Sequence, residues 1–495
     1  MTSKQRFRIR KPSFRLYDTT GISTDVQQGL TLAIVGVTLS MVFSIITMGA
    51  AWTSFLRALG ADSMTLGVLS AIPVAASTLQ IFASYILERF RIRRTLLLVF
   101  GIAARIAWIV IGLIPVMIPE SAGNARLALV MVLLGISAAA ASFLNVSFYS
   151  LMGDLVPLRI RGRYFSARHA ISLISGILTG LLVSLLMDRV TGMIGYSIIL
   201  VTAGIFGCLD ICCFLFIKWP PMAKAEGPRE SFFTMLRAVF KDEAYMKIVV
   251  YFTLWLFAVC ISAPFANVYF LEHLRMTFTE ITIYNQILPN IATVLVIGWW
   301  GRKADQYGNQ PVVQTVGLYC MLFALMFTFT GPRSFVIMPF AQIMGGLTWP
   351  ASDLSQQNMY LAKAPVHNRS MYIAVFFAST QLIGTALSNF VGGVLMSGPL
   401  RSLERLKLSW FGFEMTRYHF LFLLGTVLRA MCVLGFLPHL RGSDDTPASV
   451  MMRETGSGFI RNIRGFVHGI RTKRLRKKLR RGEERLQSVS NKKAK

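Results

Sequence analysis

Charged residues are scarce in this chain. They make up 15% of its 495 residues, against 54% hydrophobic, and the mean hydropathy is +0.56. A soluble chain needs more polar surface than that, so a length that would suit about three soluble domains does not signify three here. Cysteines number six (Cys208, Cys212, Cys213, Cys260, Cys320 and Cys432), all within apolar runs and none in paired metal spacing. Cys208 and Cys212 share a helix face, where filling the core is the better reading. There is no His or Cys cluster, nucleotide-binding loop or nucleophile pattern, so no metal, cofactor or catalysis is expected. A cleavable signal peptide is also missing: the first 28 residues are basic and polar, and the first apolar run is too long for an h-region.

What the chain does have is a series of largely apolar runs, each able to cross a hydrocarbon core of about 30 Å. Twelve helices are predicted, over 29–59, 64–90, 95–118, 125–155, 162–188, 194–218, 246–272, 277–300, 311–330, 334–362, 369–397 and 417–439. Short loops force neighbours to alternate in direction. The net charge of +28 is not a nucleic-acid footprint, because the cations are sorted by loop. Of 51 Lys and Arg residues, 40 lie in the tails and the even-to-odd loops, 9 in the other loops, and 2, Arg105 and Arg429, inside helices. That bias predicts a plasma-membrane protein with both termini cytoplasmic.

Three segments lie outside the spans: a basic tail over 1–28, a linker over 219–245 and a polybasic tail over 441–495. In the linker, Phe232, Phe233, Leu236 and Phe240 share one side of a helix, apart from Arg229, Arg237 and Lys241. This predicts a helix lying on the inner membrane surface, the alternative being a solvated linker. The last tail carries an apolar stripe of Phe459, Ile463, Phe466 and Ile470, then the run TKRLRKKLRR. Its expected partner is an anionic lipid headgroup rather than nucleic acid.

Two local patterns occur twice. The hairpin GRKADQYGNQ begins at Gly301 and contains Asp305 and Gly308. A weaker copy, SYILERFRIRR, begins at Ser84 and contains Glu88 and Arg91. Both follow a helix carrying a proline, Pro73 and Pro289. Separately, Pro157, Arg161 and Tyr164 join helices four and five with the spacing of Pro365, Arg369 and Tyr372 between helices ten and eleven. Two matches at corresponding places make the chain two copies of one six-helix design, 29–218 and 246–440, with a cavity expected between them.

The hairpins resemble the Gly-x-Leu-Ala-Asp-Arg-x-Gly-Arg-Arg loop of the major facilitator superfamily of secondary transporters. That family places the loop between helices two and three and again between eight and nine. The second copy is the closer one; in the first, Ser84, Glu88 and Arg91 replace Gly, Asp and Gly. The resemblance spans about residues 25–440. It implies an all-α membrane protein of twelve transmembrane helices, arranged as two six-helix bundles in parallel repeat. Helices one, four, seven and ten would line the cavity, and the chain would move a small solute by alternating access. Coupling to a proton or another ion, and a monomer, are expected with it. A transporter-like scaffold or sensor that no longer translocates is the alternative, and a channel a further one. In the family the hairpin latches one of the open shapes, which gives Asp305 and Glu88 the latching role and Arg161, Arg163 and Arg369 that of partners. The competing account, a plain turn with topology signals, explains the arginines but not the acids. Family antiporters carry a Gly-Pro-rich signature in helix five. Its Pro is absent here, so drug export is not inferred.

Ionisable residues deep in the membrane are the most informative, since each costs several kcal/mol unless paired or hydrated. Counted from the helix ends, Arg105 lies roughly 16 Å deep and Asp210 roughly 12 Å deep, with opposite signs, which predicts a structural ion pair. Asp353 in helix ten lies roughly 15 Å in, near the midplane. Its helix face is polar throughout: Gln342, Gly346, Trp349, Asp353, Gln356 and Tyr360. Such a face must meet protein or water rather than lipid. Helix four repeats it in short form with Ser142, Asn145 and Tyr149, and the shared joint aligns Asn145 with Asp353. Asn267 of helix seven and Gln286 and Asn290 of helix eight are expected to face the same space. Three roles stand for Asp353: to take up and release a proton, to bind a cationic or hydroxyl-bearing solute, or to neutralise Arg429 of helix twelve. Gly176 and Gly180 in helix five, and Gly392 and Gly393 in helix eleven, would let helices approach closely.

Overall fold

The computed structural model describes residues 23–157, 160–190, 192–221, 232–331, 337–365, 369–410, 413–436 and 450–451. The central part of the linker, the first 22 residues and the polybasic tail with its apolar stripe lie outside the described residues. Eleven helices among them are long and apolar enough to cross a membrane. In order they are helix one Thr24–Met48, two Ser63–Leu87, three Arg93–Met117, four Asn124–Leu155, five Ala167–Arg189 and six Met193–Phe216. The second half supplies helix seven Glu243–His273, eight Phe278–Ala304, nine Asn309–Thr328, eleven Met371–Glu404 and twelve Arg417–Phe436. Helix ten, Ile337–Lys363, has the length (27 residues) but is too polar to join them on hydropathy. Its side chains mark it as a helix that meets protein and water.

The two halves pack alike. In the first, helix six lies between helices one and three, helix four against two and three, and helix five against one. In the second, helix twelve packs on seven and nine, ten on eight and nine, and eleven on seven. The tyrosines of the Pro–Arg–Tyr joints explain part of this likeness. Tyr164 is fully buried and its hydroxyl donates to the Leu30 carbonyl (3.0 Å), while the Tyr372 hydroxyl reaches the Asp242 carboxylate (3.3 Å) at the start of helix seven. Each ties the joint to the first helix of its own half. Between halves, helix two meets helix eleven and helix five meets helix eight.

Helices one and seven, expected to run unbroken, are each interrupted. Helix one stops at Gly49, which is extended, and resumes over Ala50–Ala58. A Cβ at Gly49 would lie 2.5 Å from the Ile45 carbonyl oxygen, so the break needs glycine. Helix seven stops at Cys260 and restarts at Ala263 with Pro264 in its first turn, a place where proline costs no hydrogen bond. Helix two kinks at Pro73 into a short 3₁₀ turn, Ser77–Leu79. Helix eight has a π turn, Ile283–Ile287, just before Pro289. The loop before helix twelve holds a short helix, Pro399–Glu404, and two two-residue strands, Ser409–Trp410 and Phe413–Glu414.

The apolar side of the linker helix, Phe232–Lys241, is only partly taken up by protein. Val239 is fully buried against the second half, whereas Phe233 and Phe240 are exposed.

The hairpin positions that sequence comparison pairs both have positive φ, with ψ of 167° at Gly308 and 30° at Arg91. Gly308 has φ +86°, and Arg91, which stands where the first hairpin departs from glycine, has φ +53°. A non-glycine residue in this left-handed region costs about 1–2 kcal/mol. Arg91→Gly is therefore expected to raise the stability of the purified protein by about 1 kcal/mol. A melting midpoint unchanged or lowered by the substitution would show that the Arg91 side chain repays its strained backbone.

Candidate functional site: the space between the halves

The halves are tied together at the end opposite the termini. Arg57 meets Glu272 in a bidentate pair, Nε to Oε1 at 2.5 Å and Nη2 to Oε2 at 2.9 Å. Asp188, at the end of helix five, caps helix eight across the divide: its carboxylate accepts from the Phe278 and Thr279 amides at 2.8 and 3.1 Å. Free amides at a helix start make a ready site for such an anion. Below these, helices two and eleven touch backbone to backbone. A Cβ on Gly67 would lie 2.9 Å from the Cα of Gly393, and the Asn389 amide donates to the Ser70 carbonyl at 3.3 Å. Nearby Asp62 caps helix two, and its hydrogen bond with Thr65 holds the carboxyl below its ordinary value. Gly180 of helix five lies so close to Gln286 that a Cβ would overlap its amide oxygen.

Toward the termini the space opens. Asn145 and Asp353 are exposed, and Tyr149 is 72% exposed, although all three sit well inside their helices. Nearer the closed end the same face of helix four is buried, at Leu134 and Ser142. The Asp353 carboxylate makes no hydrogen bond or ion pair with any described residue. Its stripe divides: Gly346 packs on the Pro289 backbone, Tyr360 stacks on Phe376 with centroids 4.6 Å apart, and between them Asp353 faces the opening. Gln356 is half-buried one turn on.

Two cavities lie between this opening and the closed end. One, of about 250 Å³, lies between helices one, five, seven and eight and is lined by Gly180, Asn267, Asn285 and Gln286. The other, of about 310 Å³, lies inside the second half and is lined by Asn267, Asn285, Gln342, Trp349 and Arg429. Gln342 donates to Asn285 across it. Trp349 and Gln286 thus reach cavities, whereas Asn290 is half-buried and lines neither. Asn285 and Arg429 are not among the residues expected to line the site. Asn285 shares a helix and an amide with the expected Gln286 and Asn290, and it lies with Gln286 in the π turn Ile283–Ile287.

Of the remaining expected residues, Arg105 Nη2 lies 3.7 Å from Asp210 Oδ2, both nearly buried, with the guanidinium 3.7 Å above the Phe43 ring. Gly207 and Gly36 leave the room: a Cβ there would crowd the Arg105 side chain (2.6 Å) and the Asp210 carboxylate (2.9 Å). Gly301 and Gly308 lie at the end of helix eight. The side chains of Glu88, Asp305, Arg161, Arg163 and Arg369 are outside the described residues.

The described tie at this corner is a different one. Arg93, 3% exposed, binds the Asp154 carboxylate, Ser150 (3.3 Å) and the Pro220 carbonyl, joining helices three and four to the linker. The second half closes the same corner with neutral groups, Asn358 donating to Asn309 at 3.0 Å. An arginine run beside a lone acid at the end of helix four was the available signal for Arg93 and Asp154.

Two bundles of like packing, meeting through helices two and eleven and five and eight around a cleft open at one end, define a polytopic transporter fold. Residues 32–389 match the Major Facilitator Superfamily, and the chain belongs to that family. No curated protein matches the sequence. Solved structures share the fold. The nucleoside transporter NupG, in a point-mutant form, aligns with TM-score 0.66 at 14% identity, over 84% of this chain and all of that one. A bacterial homologue of the human lysosomal transporter Spinster, inward-facing and unoccupied, gives 0.63 at 14%, over 85% and 96%. An auto-inhibited POT family peptide transporter gives 0.65 at 12%, over 84% and 98%. The family makes this a multi-pass membrane transporter of a small molecule rather than an enzyme.

Arg105→Ala and Asp210→Ala each leave a buried charge without its partner, so each is expected to cost about 3–5 kcal/mol and to lower the yield of folded protein. Exchanging the two residues should recover part of that loss. A double exchange as unstable as the two single losses added together would mean that the residues do not stabilise each other.

Proposed function

We propose that the protein carries its solute by alternating access with proton coupling, and that Asp353 is the residue that takes up and releases the proton. The observation that carries this reading is the placement of Asp353: mid-helix, facing the open end of the cleft and free of any described cation. A carboxylate there can exchange protons with water in one shape and be shut away in the other. Arg429, the rival partner, reaches only backbone carbonyls. Asn145 and Tyr149 on the opposite wall, with Trp349 and Gln356 beside Asp353, form the solute path, and Gln286 and Asn290 adjust the contact between halves. Asp305 and Glu88, with Arg161 and Arg369, latch the end that is open here.

By the cation bias the termini face the cytoplasm, so the cleft is open inward; the proposal also places the protein in the plasma membrane, working as a monomer. Exposed Phe233 and Phe240 beside Arg237 and Lys241 suit a linker helix resting on anionic lipid.

In proteoliposomes, Asp353→Asn is expected to exchange solute across the membrane yet fail to accumulate it against a gradient when a pH difference is applied. Accumulation with the wild-type pH dependence would remove the coupling role from Asp353. Orientation is checked separately: in intact cells Ser402→Cys should react with an impermeant thiol reagent and Ser488→Cys should not, and the reverse pattern would invert the topology.

A further inference from the structure

The two halves treat their deep arginines differently. Arg105 of helix three has Asp210 of helix six. Arg429 of helix twelve, at the position matching Asp210, has no carboxylate within ion-pair distance among the described residues. It is 5% exposed, its Nε has no partner, and its terminal nitrogens reach only the Cys320 and Val259 carbonyls, both at a long 3.4 Å. A guanidinium held this way at membrane depth is costly, because carbonyl dipoles at that range do not replace water. Yet Arg429 is not sealed in the core. It lines the cavity of about 310 Å³ in the second half.

The rest of that lining has a definite chemistry. It contains no acid. Asn267, Asn285 and Gln342 offer amides, and Phe323, Phe327 and Phe422 form an aromatic wall. The volume is at the lower end of the range for small-molecule sites, about 300–1,000 Å³. The fork of an arginine fits a carboxylate through two parallel hydrogen bonds.

We propose that Arg429 is the anion-binding residue of the solute site, and that the solute is a small carboxylic acid with an aromatic or apolar body. The carboxylate plays for Arg429 the counter-charge role that Asp210 plays for Arg105. The amides orient it, and the ring lies against the phenylalanines. This rests on the transport reading above, with Asp353 supplying the proton that lets an anion cross without its charge.

The test uses the full-length protein purified in detergent, with thermal unfolding as the readout, since a ligand raises the midpoint in step with its occupancy. Phenylacetate is expected to raise the midpoint with concentration; phenylacetamide, of the same shape without the charge, is not. Arg429→Gln should weaken the apparent affinity for phenylacetate by about tenfold or more. Without ligand the same variant should melt no lower than wild type, because it removes an uncompensated charge. Equal shifts from acid and amide, or none from phenylacetate, would overturn the proposal. So would an Arg429→Gln protein as unstable as Arg105→Ala, which would make the guanidinium a structural strut. A shift with inorganic phosphate and none with phenylacetate would assign the subsite to phosphorylated solutes and reject the carboxylic acid. Binding that depends on Arg429 without uptake into proteoliposomes would leave this site standing and defeat the transport reading. Uptake of an uncharged solute unaffected by Arg429→Gln would do the opposite.

Discussion

Hydrocarbon does not solvate charge, and that constraint orders this molecule more than any contact within it. Among the described residues, four side chains of the charged types Arg and Asp lie at depth: Arg105, Asp210, Asp353 and Arg429. Each needs a counter-charge or water. The first two form an ion pair inside one bundle, with Arg105 also lying over the Phe43 ring. The acid of helix ten is exposed at the open end of the cleft. The arginine of helix twelve has only two distant carbonyls and an adjoining cavity. The helices around them are arranged to meet these needs, with Gly36 and Gly207 cut back so that the first pair fits. The polarity of helix ten, which sets it apart from its eleven apolar fellows, belongs to the same arrangement.

The duplication makes this legible as a comparison within one chain. Equivalent helices pack on equivalent partners, and the tyrosines of both joints reach the start of the first helix of their own half. Against that likeness the departures stand out. One half answers a buried arginine with an acid and the other does not. One half ties its terminal-side corner with Arg93 and Asp154, the other with two asparagines. Packing is under the same demand in both halves, so it repeats. The charges are not, and they differ where the halves face a cavity or a moving partner.

The sequence revealed the helices because runs of apolar residues have one reading in lipid. Depth counting placed Arg105 near Asp210 because 1.5 Å per residue is nearly invariant along a helix. Rotation was harder to read. Asn285 and Asn290 were a matter of which way helix eight faces, and its π turn shifts the phase by part of a turn. The breaks at Gly49 and Ser262 are hard to read for a related reason: the flanking residues are as apolar as the rest, and a lone glycine or proline also occurs inside unbroken helices here. The Arg57–Glu272 pair joins residues 215 positions apart, and no periodicity could announce it.

That pair has a consequence of its own. Both side chains are partly wet, 30% and 41% exposed, so their attraction is worth about 1 kcal/mol or less and is screened by salt. The same end is also held by the Asp188 cap on helix eight and by the close packing of helices two and eleven, so the pair is one fastening among several. Opening this end means parting all of these contacts, of which the ion pair is the one most weakened by salt. Ionic strength in the medium at that end therefore acts on one contact of the closure, through a residue pair that lines neither cavity.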